Sequence, residues 1–146
     1  MRLLGIDYGT RRIGVAVSDE LGITARALCT IVRKTLGSDL EKIAGIAREK
    51  EVQAVVIGYP RRLNGREGVE CERVSRFARR LEESCGLPVI AEDESFTSKD
   101  AEEILLEANM SRKKRKEVID RVSAMLILQK YLDKLNCGKV EADDER

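Results

Sequence analysis

The segment Val52–Ile57 constrains the fold more than any other. It is short, apolar apart from Gln53, and stops at Gly58-Tyr59-Pro60. A strand without polar/apolar alternation is buried on both faces, as in a parallel sheet covered by helices. The flanking sequence supplies those helices. Upstream, Ser38 and Glu41 have capping-box spacing, and Leu40, Ile43, Ala44 and Ala47 form one apolar stripe. Downstream comes a polar loop, residues 61–68. After it, Val74, Phe77, Ala78, Leu81 and Cys85 make a second stripe, with Gly86 as its stop. Leu87–Ala91 reads as a further strand leading into Glu92-Asp93-Glu94.

Residues 2–7 predict a first strand and Ile13–Ser18 a second, close enough across Tyr8–Arg12 to pair antiparallel. Ala25–Val32 predicts a third. Thr97 or Ser98 caps a helix carrying Ala101, Ile104, Leu105 and Ala108. Ser111 caps the last helix, whose apolar set is Val118, Val122, Met125, Gln129 and Leu132, widened by Ile119 and Leu126. Asn136-Cys137-Gly138 is expected to end it. The organisation is therefore one α/β domain over residues 1–138, with a mixed sheet and right-handed crossovers, and a polar tail over 139–146.

In such a sheet the first, fourth and fifth strands run parallel, and ligands bind outside their shared C-terminal edge. Asp7, Gly58-Tyr59-Pro60 and Glu92-Asp93-Glu94 land there. Asp120, set among Val118, Ile119 and Val122 of the last helix, is a further carboxylate in need of a partner. Gathered carboxylates repel one another unless a cation lies between them. The chain has no histidine, which excludes Ser-His-Asp and Cys-His catalysis and His-ligated metals. Oxygen ligands point to Mg²⁺ or Mn²⁺, the ions of two-metal phosphodiester cleavage. Pattern alone leaves open which of Glu92, Asp93 and Glu94 faces a metal.

The net charge of +1 is neutral on the question of nucleic acid, but local patches are not. Arg61, Arg62 and Arg66 lie in the loop beside the proposed edge. Arg112-Lys113-Lys114-Arg115-Lys116 opens the last helix, where cations oppose the macrodipole and want an external anion. With two Phe and three Tyr, base stacking is poorly supported and backbone recognition is favoured. No apolar run approaches a membrane span and no signal-peptide pattern opens the chain, so a cytoplasmic protein without membrane attachment is expected. The four cysteines show no C-x-x-C pair, which favours reduced thiols over a zinc site.

Gly5-Ile6-Asp7-Tyr8-Gly9-Thr10-Arg11-Arg12-Ile13-Gly14-Val15-Ala16-Val17-Ser18-Asp19 is very similar to the opening of the YqgF/RuvX family. That family is described as Holliday-junction resolvases and as nucleases maturing the 5′ end of pre-16S rRNA. Gly58-Tyr59-Pro60 with Asn64-Gly65-Arg66-Glu67-Gly68 resembles its G-x-P…N-G-x-x-G segment. Asp93-Glu94-Ser95-Phe96-Thr97-Ser98 resembles its D-E-R-x-T-T segment. Asp120-Arg121-Val122-Ser123-Ala124 with Ile127–Leu132 resembles its closing helix.

The resemblance implies a ribonuclease H-like fold: a five-stranded mixed sheet in the order 3-2-1-4-5, flanked by helices. It implies Asp7, Glu94 and Asp120 as the catalytic, metal-binding set for Mg²⁺ or Mn²⁺, with Gly9 and Thr10 as the supporting loop. Arg61, Arg62, Arg66, Arg112, Lys113, Lys114 and Arg115 are the expected nucleic-acid contacts. Ser95 departs from the family's usual Arg and removes a bidentate phosphate partner; Ser98 and Ser123 replace a Thr and an Ala. The expected activity is metal-dependent endonucleolytic cleavage of structured nucleic acid, foremost at the 5′ end of pre-16S rRNA, by a monomer or weak homodimer. The alternatives are resolution of branched DNA and, behind it, non-catalytic nucleic-acid binding. A nucleotide site of the actin and sugar-kinase type needs a second such domain, for which this chain has no length.

Overall fold

The computed structural model describes residues 1–59, 69–93 and 97–144. Five strands, β1 (Leu3–Tyr8), β2 (Arg12–Ser18), β3 (Ala25–Val32), β4 (Ala54–Tyr59) and β5 (Val89–Asp93), form one sheet in the order β3-β2-β1-β4-β5. β1 pairs antiparallel with β2 and parallel with β4, and β4 pairs parallel with β5. The mixed sheet and its order are as expected from the sequence.

Period-two alternation sends the two faces of this sheet to different partners. Leu4, Ile6, Tyr8, Ile13, Val15, Val17, Val55 and Ile57 face helices α1 (Leu36–Glu49) and α2 (Val69–Cys85), meeting Ile43, Ala47, Val74, Phe77 and Leu81. Leu3, Ala16, Ala54 and Val56 face helix α4 (Arg112–Asp144), meeting Ala124, Ile127, Leu128 and Leu132. Helix α3 (Thr97–Glu107) packs on α4.

Several boundaries differ from expectation. α1 is capped by Thr35, whose hydroxyl accepts from the Ser38 N–H at 3.2 Å, and not by Ser38. The buried Asp39 carboxylate accepts from the Lys34 N–H, and so fixes the entry one turn earlier than the Ser38–Glu41 spacing suggests. β4 and β5 each begin and end two residues later than predicted. Val52 lies in the turn that closes α1, its N–H bonded to the Ala47 carbonyl after Glu51 turns to φ 54°. At the other end, Gly58 pairs with Glu92 and Tyr59 with Asp93. Glu92 and Asp93 therefore lie within a strand and not beyond it.

Gly86 (φ 70°) ends α2 as predicted, its N–H bonded to the Glu82 carbonyl. In α3, Ala101 and Leu105 are buried but Ile104 and Ala108 are exposed, because only one narrow face meets α4. α4 runs through Gly138 to Asp144. One glycine costs a helix about 1 kcal/mol, and no proline follows to stop it. No disulfide forms among the described residues, and no helix among them is long and apolar enough to cross a membrane.

Candidate active site

Asp7 is the last residue but one of β1, and by alternation it shares a face with Leu3 and Gly5. Its register partner is Gly14. α4 crosses this part of the sheet so closely that neither glycine has room for a side chain. A Cβ on Gly5 would lie 2.7 Å from the Leu128 Cβ and 2.9 Å from the Ala124 carbonyl oxygen; one on Gly14 would overlap the Asp120 carbonyl oxygen. Ser123 and Ala124 supply the matching small surface on the helix, and both are buried. The face of α4 that seats on the sheet is thus Ser123-Ala124, Ile127-Leu128 and Leu132. The predicted Val122, Met125 and Gln129 are only half-buried. Gln129 instead bonds the Ala25 N–H and the Ile23 carbonyl, tying α4 to the start of β3.

This close crossing brings Asp120 to Asp7. Burial, and then the Asp120 charge, push the Asp7 carboxyl from an ordinary 3.8 up to about 7. Asp120 Oδ2 lies 2.8 Å from Arg12 Nε as an ion pair, yet it is buried without an aligned hydrogen bond. A carboxyl raised by burial and by its neighbour's charge, beside a buried oxygen without an aligned hydrogen bond, is a set in want of a cation, and all its donors are oxygens. These residues fit Mg²⁺ or Mn²⁺. Among the described residues no group of three or more Cys, Asp or Glu forms. Two of the three expected ligands, Asp7 and Asp120, come together, and Glu94 lies outside the described residues.

The supporting turn is built as a rigid loop. The Gly9 N–H donates to the Arg12 carbonyl at 3.0 Å, and Arg33 Nη1 donates to the Gly9 and Thr10 carbonyls, each at 3.0 Å. Arg33 also lies 4.4 Å over the Tyr8 ring, which stacks on Phe77 with centroids 4.0 Å apart. The turn following Asp7 is thereby clamped from the opposite side of the sheet.

At the end of β5, Glu92 is only 5% exposed and faces α4, where Lys134 Nζ meets its Oε1 at 2.5 Å. One turn earlier on α4, Lys130 donates to the Asp93 carbonyl. Glu92 is committed to this tie. Lys134→Met leaves its carboxylate unpaired and is expected to destabilise the protein by about 1–2 kcal/mol, measured as a lower denaturant midpoint at unchanged m-value; an unchanged midpoint would remove this tie from the account of the fold.

The basic run sits where expected in sequence. Ser111 Oγ accepts from the Lys114 N–H and caps α4. Arg112, Lys113 and Lys114 are exposed and Arg115 is half-buried. Arg112, Arg115 and Lys116 line a cleft of about 270 Å³ with Glu102 and Ile119, and Lys116 is one turn before Asp120. Arg61, Arg62 and Arg66 lie outside the described residues. The residue that sequence reasoning passed over is Arg12. The signal for it was present: on a strand paired antiparallel to β1, Arg12 alternates with Gly14 and so shares the face of Asp7.

The sequence and fold can be set beside known proteins. The family described as RuvX, Holliday junction resolvase, matches residues 1–134. A protein of Syntrophus aciditrophicus named "Putative pre-16S rRNA nuclease" is 53% identical over 143 residues, 98% of this chain and 95% of that one. A Moorella thermoacetica protein of the same name is 48% identical over 135 residues, covering 92% and 96%. Among solved structures, Thermus thermophilus RuvC in complex with a Holliday junction substrate superposes with a TM-score of 0.59 at 18% identity, covering 93% of this chain and 96% of that one. The fowlpox virus resolvase bound to Holliday junction DNA gives 0.60 at 12% identity, covering 92% and 99%. These likenesses extend the ribonuclease H-like architecture to this chain. With a family match across nearly its whole length and relatives near half identical over the same span, the chain belongs to the RuvX family.

Proposed function

We propose that this chain is a divalent-metal-dependent endonuclease of structured nucleic acid, acting foremost on the 5′ end of pre-16S rRNA. The observation that carries the reading is the Asp7–Asp120 pair at the C-terminal edge of the parallel strands. One of these carboxyls is pushed up to about 7 and the other holds a buried oxygen without a hydrogen bond. The names of the nearly half-identical relatives support the RNA substrate.

In this reading Asp7 and Asp120 hold Mg²⁺ or Mn²⁺, and Glu94 joins them on the strength of its motif. When bound, the metal supplies an activated water and neutralises charge on the leaving oxygen. The chain's own residues position the polymer. Arg112, Lys113, Lys114 and Arg115 present cations to backbone phosphates, and Arg61, Arg62 and Arg66, which follow β4 in sequence, are assigned the same role on the strength of their charge. The clamped Gly9–Thr10 turn keeps Asp7 fixed, so binding energy is not spent on ordering it. The single nuclease domain spans residues 1–138, and the protein works in the cytoplasm as a monomer or weak homodimer.

Resolution of branched DNA is the second reading, favoured by the family's description and by the fold shared with junction-bound resolvases. The test presents purified protein, with Mg²⁺ or Mn²⁺, with a pre-16S leader RNA and with a four-way DNA junction. Cleavage of the leader supports the first reading and cleavage of the junction the second. Cutting of neither, together with rescue of a 16S-maturation defect by Asp7→Asn, would leave a non-catalytic binding factor.

A further inference from the structure

Arg12 opens β2, and its Nε lies 2.8 Å from Asp120 Oδ2. The two ends of this ion pair are unequal. The Asp120 side chain is 19% exposed, seated on the sheet by the close crossing at Gly14; the Arg12 side chain is 43% exposed. The contact also lacks an aligned hydrogen bond, since Oδ2 is buried without one. It is held by charge and proximity, which makes it easy to exchange.

The backbone at Arg12 stays in place in any exchange. The Arg12 carbonyl accepts from the Gly9 N–H, and Arg33 clamps the same turn. Only the side chain is free to move. A divalent cation at Asp7 and Asp120 would face the guanidinium at close range in a partly desolvated site, where like charges repel strongly. Of the two cations, the half-exposed guanidinium is the one able to leave. Its planar fork suits a phosphate better than it suits a single carboxylate oxygen.

Resting on the metal-dependent reading above, we propose that Arg12 occupies Asp120 until metal binds there and then passes to the backbone phosphate of the substrate, so that metal and nucleic acid bind cooperatively. Arg12 is thus a phosphate-binding residue in the loaded enzyme and a counter-ion in the empty one. Two cations exchange partners, and the Asp120 carboxylate has a cation beside it throughout. By linkage the coupling is reciprocal: metal tightens nucleic acid as much as nucleic acid tightens metal.

The test uses the full chain as wild type, Arg12→Gln and Arg12→Lys, with folding checked by thermal melts. Mn²⁺ alone is titrated calorimetrically into substrate-free protein. Arg12→Gln is expected to bind it about three- to fivefold more tightly than wild type, the worth of a half-exposed ion pair. Binding of an RNA hairpin is then measured with and without Ca²⁺. Wild type is expected to gain affinity with the cation, Arg12→Gln to lose that gain, and Arg12→Lys to fall between. Equal or weaker Mn²⁺ binding by folded Arg12→Gln, or an unchanged Ca²⁺ gain, overturns the exchange. Failure of wild type to bind Mn²⁺ overturns the metal reading itself.

Discussion

Asp7→Asn is expected to lose cleavage by on the order of a thousandfold and, with metal chelated, to become more stable than wild type above pH 7. The two effects share one cause. Asp7 is held in a half-buried place beside Asp120, which favours the neutral carboxyl and pushes it from 3.8 up to about 7. An acid whose native pKa is raised keeps the native state fully favoured below the unfolded value. That advantage is lost as pH rises through the native value, because the unfolded chain then ionises more easily. Metal-free wild type therefore loses stability between about pH 4 and pH 7, by at most about 4 kcal/mol and by less to the extent that water reaches the carboxylate. Asparagine keeps the shape and removes the charge, so it flattens this profile. Thermal melts in chelator at pH 4 and pH 8 read it directly: the variant and wild type differ little at pH 4, and the variant melts several degrees higher at pH 8. A variant that melts lower than wild type at pH 8 would show that Asp7 is not the strained group described above.

Among the glycines whose surroundings are described, Gly14→Ala is expected to be the most damaging added methyl group. Its Cβ falls on the Asp120 carbonyl oxygen, a backbone atom that cannot step aside without moving α4. Overpacking of this kind costs about 3 kcal/mol or more, a fall in Tm of roughly 6–12 °C for a domain of this size. Cleavage falls too, since α4 carries Asp120 away from Asp7. Gly45→Ala is the control within the same molecule. No atom stands within 4 Å of a Cβ there, and replacing a glycine inside α1 stabilises by about 0.5–1 kcal/mol. Equal melting of the two variants would mean that α4 does not depend on the missing side chain at position 14.

Much of this architecture is legible in the sequence, because strands announce themselves by alternation and helices by their stripe. The antiparallel pairing of the first two strands, the bounds of β3, the stop at Gly86 and the mixed sheet follow from local pattern and connection rules, and the family resemblance implied the strand order. The misses have physical reasons of their own. The segment Val52–Ile57 mixes the end of a helix with the start of a strand, because an apolar residue is equally at home packing under either. The face of α4 was misjudged because the usual stripe favours large apolar residues, whereas the close approach at Gly5 and Gly14 is made by Leu128 and by the helix backbone at Asp120 and Ala124, with the small Ser123 and Ala124 buried.

The sequence by itself determined the ingredients of the site. Asp7 ends an apolar strand, Asp120 stands uneasily in an apolar helix, and the absence of histidine removes every imidazole donor. Local pattern could go no further, since it carries no distance between residues so far apart in the chain. Tertiary structure decided the rest. The missing side chains at Gly5 and Gly14 let α4 descend onto β1 and β2, and that descent joins Asp120 to Asp7. It also turns Arg12 into the partner of Asp120 and commits Glu92 to Lys134.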